Sequence, residues 1–377
     1  MSNEIAPNLA YHFWGANIKN QSAESEPSSV GVFIRGSEFD HGKEIEMQDD
    51  EGHMGTATTK MSSYRSNASA SPSFSDKCRY TEGWEDMWLL LLGSGSHSDS
   101  TPYTIDKTTV TTGVYKYVFS VDTAQPNAPY TCALFNGFAK TSADAYKYED
   151  CLMSEFELSG SNTDAPTYKA SFQSNFPKFN QTNTVRTYPS TKEFPKSADV
   201  KIYIAPPLDS GEYVFGTAGT GETSIDPYLY GCYQDWSLNV NMNVESQPCS
   251  GDTFGTSTKV QGNREGTFNI TLPWNSTTKK LEYKFMGGSD NSTTVTTNND
   301  VKVVWILFEG STISSTYKYT TLIKIPHVVM TAVNSPQSGS DAKTLELEGN
   351  IEENGTDSFI TTEIQTSLSD LHITSAS

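Results

Sequence analysis

Ser237-Leu-Asn-Val-Asn-Met-Asn-Val244 alternates apolar and polar side chains without a break. A strand sends successive side chains to opposite faces, so Leu238, Val240, Met242 and Val244 belong to a core and the asparagines to water or a neighbour. The same pattern recurs at 115–121, 153–158, 200–204, 267–272, 301–308 and 320–325. Thr, Ser, Val and Tyr, residues that suit a half-buried pleated surface, dominate the chain. The fold class expected from these runs is mainly β.

Only two segments read as helix. Thr81 to Leu92 offers a Thr cap, acids in its first turn and a stop at Gly93; Asn275 or Ser276 to Met286 stops at Gly287-Gly288. Trp84, Trp88, Leu91 and Leu92 are spaced to share a face, as are Leu281 and Phe285, and a core role is expected for all of them.

The landmarks come in two sets. Gly55-Thr-Ala-Thr-Thr-Lys60 returns as Gly255-Thr-Ser-Thr-Lys259, and Tyr146-Lys-Tyr148, within 144–160, returns as Tyr317-Lys-Tyr319, within 315–331. Each half carries its helix between the two. Shared order points to a duplicated domain. The halves expected are 1–185, with an insertion around 94–145, and 200–377. Between them 186–199 reads as a linker, in a stretch rich in Ser, Thr, Lys and Pro. Residues 20–29 and 60–76 read as exposed loops.

The 377 residues carry 45 acidic and 26 basic side chains, a net charge of −19, with acids in both halves. Such a surface disfavours binding nucleic acid by neutralising phosphates, although an acidic channel that DNA slides through is compatible with it. Cys78, Cys132, Cys151, Cys232 and Cys249 are odd in number, widely spaced and without a CxxC, so neither a disulfide framework nor a zinc site is indicated. The N-terminus lacks the pattern of a secretory signal, and Met87–Leu92 is too short to span a bilayer; no membrane partner is expected.

Tests for catalysis return nothing. None of the six histidines lies in HExxH, and no GxSxG elbow occurs. Asp49-Asp-Glu-Gly-His53 lacks the alternating oxygen ligands of a calcium loop, and Gly216–Glu222 is glycine-rich without the lysine of a phosphate loop. No enzyme activity and no cofactor are expected. The aromatic run Tyr228 to Trp236 reads as sheet packing and subunit contact.

The second half carries a resemblance. Val200-Lys-Ile-Tyr-Ile204, the strand 236–244, a loop from Glu245 to Gly255, Thr256 to Val260, and Gly262-Asn-Arg-Glu-Gly266 leading into a strand resemble, in this order, the tail tube (major tail) proteins of long-tailed bacteriophages. Leu322–Pro326 and Leu345–Ile351 are similar to that family's closing strands, and the first-half helix and 148–158 match less closely. The resemblance implies duplicated antiparallel β-sandwich or barrel domains, each flanked by one α-helix. It implies a structural virion protein in the tail, assembled in the host cytoplasm, whose copies form rings that stack into a hollow tube for DNA delivery. A two-copy chain would close as a trimer with pseudo-sixfold symmetry. Tail tip, tail terminator and tape-measure proteins are the implied partners, and genome DNA passes without specific binding. The implied lumen and ring-stacking residues are Asp49, Asp50, Glu51, Ser237, Asn239, Asn241, Asn243, Glu245, Asp252, Thr256 and Thr258. They would lie on a long hairpin made of 236–244 and 256–260 and on its first-half counterpart, 43–47 with 56–60. The competing reading is a surface-exposed carbohydrate-binding or adhesive β-sandwich.

Overall fold

The computed structural model describes residues 13–20, 32–34, 38–51, 60–80, 83–93, 105–121, 130–137, 145–181, 193–205, 232–247, 255–276, 278–287, 294, 301–336, 343–353 and 358–371. The chain is mainly β, with two helices among the described residues. In the first half the strands are β1 (Phe13–Asn20), β2 (Val32–Ile34), β3 (Glu38–Asp40), β4 (Lys43–Glu51), β5 (Lys60–Ala70), β6 (Ser73–Lys77), β7 (Asp106–Thr111), β8 (Val114–Ser120), β9 (Tyr130–Gly137), β10 (Ala145–Ser161), β11 (Thr167–Gln173) and β12 (Lys178–Gln181). In the second they are β13 (Val200–Ala205), β14 (Asp235–Asn241), β15 (Val244–Gln247), β16 (Thr258–Gln261), β17 (Glu265–Pro273), β18 (Val301–Ser314), β19 (Tyr317–Asn334), β20 (Thr344–Ile351) and β21 (Thr361–Thr366). Helix α1 (Trp84–Leu92) follows β6, and α2 (Lys279–Gly287) follows β17.

Seventeen strands form one barrel-like antiparallel system, and two hairpins, β4–β5 and β15–β16, stand apart from it. Its spine is a sheet in the order β3-β6-β11-β10-β14-β17-β20-β19. The two longest strands run on past this sheet. The N-terminal part of β10 joins β12, β9, β1 and β2; that of β19 joins β13, β18, β21, β8 and β7. These strands form a second layer, and the apolar faces of both layers meet in one hydrophobic cluster that includes Phe156, Leu238, Ile270 and Leu347 from the spine and Leu134, Ile306, Ile325 and Tyr117 from the second layer.

The halves repeat each other pairing by pairing. In the first, β6 lies between β3 and β11, β11 meets β10, and β10 also meets β9 and β12; in the second, β17 lies between β14 and β20, β20 meets β19, and β19 also meets β18 and β21. Even the irregularities recur. The register of β10 slips between Tyr148 and Cys151 against β9 and between Met153 and Glu155 against β11; that of β19 slips between Ile325 and Val328 against β18 and between Met330 and Ala332 against β20. Tyr148 therefore corresponds to Ile325 and Met153 to Met330, so the two Tyr-Lys-Tyr triplets are not equivalent positions. The sequence alignment is out by six residues. An even slip preserves which face every side chain takes, so alternation alone cannot reveal it.

Three further expectations are corrected. Residues 60–76 hold β5 and most of β6 rather than a loop, because Ala68, Ala70, Pro72 and Phe74 are buried in alternation with Ser69, Ser71 and Ser73, which are only partly covered or exposed. The stretch 237–244 is not one strand. Asn243 adopts a left-handed conformation (φ 46°), its N–H donates to Asn241 Oδ1 at 2.8 Å, and the chain turns into β15. The expected partnership of 236–244 with 256–260 is thus replaced: β14 pairs with β10 and β17, and β16 pairs with β15. The corresponding turn in the first half uses Gly42 (φ 51°), whose N–H donates to Asp40 Oδ1 at 3.0 Å. In pairing order β9 takes in the first half the place of β18 in the second, and the stretch between helix and strand is 94–129 in one and 288–300 in the other.

Helix α1 begins at Trp84 behind Gly83, with Thr81 outside the described residues, and is buried around its whole circumference rather than along one face. Trp88 and Trp84 pack against Phe156 with ring centroids 5.2 and 6.3 Å apart. Helix α2 is a surface helix by comparison, with Leu281 buried and Phe285 partly buried. Its entry is fixed by a reciprocal cap: Thr278 N–H donates to Asn275 Oδ1 (3.0 Å) and Asn275 N–H to Thr278 Oγ1 (2.9 Å).

Candidate functional site

The spine sheet has one apolar face, buried in the core, and one polar face. Registers align the polar residues across seven of the eight strands: Glu38 opposite Ser75, Ser75 opposite Lys169, Lys169 opposite Glu157, Glu157 opposite Asn239, Asn239 opposite Thr267 and Thr267 opposite Asn350, which on β19 meets the apolar Val329. The parallel rows add Asp40, Glu155, Asp235, Glu265, Glu346 and Glu348. Against these eight carboxylates, counting Glu38 and Glu157, stand two lysines, Lys77 and Lys169. Side-chain bonds knit the face across strands. Asn239 Nδ2 donates to Glu155 Oε1 (3.0 Å), Thr271 Oγ1 to Asp235 Oδ1 (2.8 Å) and Asn269 Nδ2 to Ser237 Oγ (3.3 Å).

Of the residues singled out from the sequence, Ser237, Asn239 and Asn241 lie on this face. Asn241, Asn243 and Glu245 line a groove of about 290 Å³ together with Glu155 and Gln173. Asn243 holds the turn through Nδ2, which donates to the Asn263 carbonyl at 2.7 Å. Thr256 is half-buried beside the first half, and exposed Thr258 lies on the β15–β16 hairpin, off the spine sheet. Asp49, Asp50 and Glu51 fall on β4, with side chains outside the described residues, as is all of Asp252. Sequence reading missed Glu155, Glu157, Glu265, Glu346 and Glu348. Their strands were legible, and the available signal was that each acid occupies the polar phase of its alternation.

The two halves meet at a joint between β10 and β14, where Phe156 lies opposite Val240 and Leu158 opposite Leu238. Gly160 lies beneath the Trp236 indole, and a Cβ there would fall 2.7 Å from the ring nitrogen, so the joint admits only glycine. A second contact comes from the repeated Gly-Thr motif. Phe176 N–H donates to the Gly255 carbonyl (2.8 Å), Ser257 N–H donates to Asn175 Oδ1 (3.2 Å), and Lys259 Nζ reaches the same oxygen. Gly255 has φ 83°, and a Cβ on it would lie 2.9 Å from Phe176 Cβ. The hairpin of the second half is thereby seated on the first.

Each element of this joint exists again, unused. Among the described residues β3 pairs with β6 alone, and from Met330 to Asn334 the side of β19 away from β20 has no partner strand. These are the counterparts of β14 and β10. Beside β3 a groove of about 520 Å³ runs along Phe39, Phe74, Ser75 and Lys169. The β4–β5 hairpin, counterpart of the seated one, exposes Met47 (56 %) and Tyr64 (55 %), with Ile45 beside Met47's face.

A third link joins the halves. The β7–β8 hairpin, from the inserted stretch of the first half, pairs with β21 of the second and buries Val114, Tyr117 and Phe119. Glu363 on β21 receives Lys116 of the hairpin (2.7 Å) and Lys324 of β19 (2.6 Å). Burial pushes its carboxyl up, but hydrogen bonds from the two lysines outweigh burial and hold it below the usual range. Glu149 is held down in the same way, between Lys147 (2.9 Å) and Lys178 (2.6 Å).

Among the described residues no group of three or more His, Cys, Asp or Glu side chains is placed to hold a metal ion, and no helix is long and apolar enough to cross a membrane. The described members of the aromatic run, Tyr233 and Trp236, are buried. No protein-family model matches the chain, and no curated protein matches it in sequence.

Proposed function

We propose that this chain is a structural protein whose copies join head to tail into rings that stack as a hollow tube, the tail tube of a long-tailed bacteriophage. One observation carries the reading: the β10–β14 joint inside the chain has both its sides present a second time, as the open edges of β19 and β3. A contact between two different surfaces propagates, and it closes into a ring when the rotation per unit divides the circle. Closure also removes the exposed strand edges that a soluble protein otherwise has to protect. Three chains of eight spine strands would give a barrel of about 24 strands, about 48 Å across between backbones for strands ~4.8 Å apart and tilted ~40°. The number three is carried over from the family resemblance.

The polar face supports the same reading. It is the face left over once the apolar one is buried, and its excess of carboxylates repels a phosphate backbone rather than gripping it. DNA would pass along such a wall without sequence-specific binding. The exposed β4–β5 hairpin suits contact with the adjoining ring, since an isolated two-stranded hairpin is marginal until something covers it. Tip, terminator and tape-measure proteins would be the remaining partners, in a virion tail assembled in the host cytoplasm. Tyr233 and Trp236, the described members of the aromatic run, are buried and give the carbohydrate-binding reading no exposed platform at that run. Negative-stain microscopy of the purified chain across a concentration series tests the proposal. Stacked rings or tubes are expected; monomers persisting at every concentration would overturn it.

A further inference from the structure

The inserted β7–β8 hairpin does something the repeat ought to require twice. It leaves the chain after α1 of the first half and lays β8 along β21 of the second, from Thr361 opposite Ser120 to Thr366 opposite Tyr115. The counterpart of β21 is β12: Lys178 of β12 lies opposite Lys147 of β10 as Thr361 lies opposite Lys324 of β19, and the bulges equate Lys147 with Lys324. Yet among the described residues β12 pairs with β10 alone. Its outer edge carries a half-exposed Phe179 (50 %) set against Tyr146 (ring centroids 5.3 Å) and Phe176 (5.9 Å), with Lys43 Nζ 4.4 Å from the Tyr146 centroid. Lys178 is paired with Glu149 at 2.6 Å and keeps its side chain 59 % exposed. Gln181 Nε2 donates to the Phe179 carbonyl at 2.8 Å, so that oxygen is taken by the strand's own side chain rather than by a neighbouring strand.

We infer that the outer edge of β12 is a strand-docking site for a second copy of this chain, supplied by the stretch 288–300 that follows α2. The inference rests on the head-to-tail reading above. In that arrangement the half that precedes β12 is the second half of the neighbouring copy. In the sequence 288–300 lies between α2 and β18 as the inserted stretch 94–129 lies between α1 and β9. Their charge complements the site: the stretch contains Asp290 and Asp300 and no lysine or arginine, and the edge presents Lys43 over the Tyr146 and Phe179 rings beside the Lys178–Glu149 pair. Val295 is its single apolar residue, with threonines on both sides, a composition suited to an added strand beside Phe179. The brace that the first half provides within one chain would then be provided between chains by a shorter segment, making the two kinds of joint unequal in strength.

Hydrogen exchange on the full chain, before and after assembly, separates this inference from the reading it rests on. Backbone amides of 178–181 should slow at least about tenfold on assembly, as an added strand buries and pairs them. A Phe179→Cys, Val295→Cys double variant, oxidised after assembly, should give chain-to-chain covalent ladders that neither single variant gives. Assembled protein in which 178–181 exchanges as fast as in the monomer, or in which the double variant fails to ladder, overturns the docking site while leaving the ring reading intact. Absence of assembly altogether overturns both.

Discussion

β10 and β19 are one strand built twice, with the same two bulges, and they finish differently. Beyond Glu155 the outer edge of β10 is taken by β14; beyond Met330 the outer edge of β19 has no partner strand among the described residues. The closed edge shows what the open one is shaped for: an antiparallel neighbour whose apolar side chains continue the core and whose polar side chains continue the acidic face. The difference also shows where the chain economises, because a joint made within one polypeptide costs no association entropy, whereas its copy between chains needs every added contact it can find.

Substitutions at the closed joint cost folding stability most, and those at the opposite edge least. Phe156→Ala, at the closed joint and against Trp84 and Trp88, should cost about 3–5 kcal/mol, read from urea unfolding. Gly160→Leu forces a side chain into the Trp236 indole and should cost about 1–3 kcal/mol in the same assay, with the joint splayed. A smaller loss follows acid. Glu363 has a folded-state carboxyl held below its ordinary value of 4.5, so its contribution is complete above that value and is lost as pH falls through the lowered one. Hydrogen exchange in β8 should therefore speed up selectively in mild acid, and Glu363→Gln should abolish that pH dependence. At the open edge the balance reverses: Asn334→Pro, at the exposed last residue of β19, should change folding stability by about 1 kcal/mol or less while preventing ring formation. Normal tubes from Asn334→Pro would detach β19 from the assembly contact.

Much of this molecule is legible along the chain and little of it across the chain. The runs at 267–272, 301–308 and 320–325 announced β17, β18 and β19, because one-sided burial writes itself as alternation. β5 escaped notice since Ser63-Tyr-Arg-Ser-Asn67 holds no buried residue and only Ala68 and Ala70 after it are buried. The acidic face was hidden for a different reason: Glu155, Glu265 and Glu346 lie on three strands far apart in sequence, and only strand order brings them onto one face. The left-handed turn at Asn243 interrupts an alternation that reads as continuous, as a tight Asn turn keeps the polar phase intact. The role of the insertion was equally hidden, because Val114, Tyr117 and Phe119 join the core only through the pairing of β8 with β21 of the other half.

The central claim is that the open edges of β19 and β3 reproduce the closed joint between copies, and a cryo-EM reconstruction of the assembled protein tests it most directly. The expected result is a ring whose inner sheet runs unbroken from β19 of one copy into β3 of the next, with the carboxylate face toward the lumen. Rings in which either edge remains unpaired, or in which the carboxylate face points outward, would contradict it.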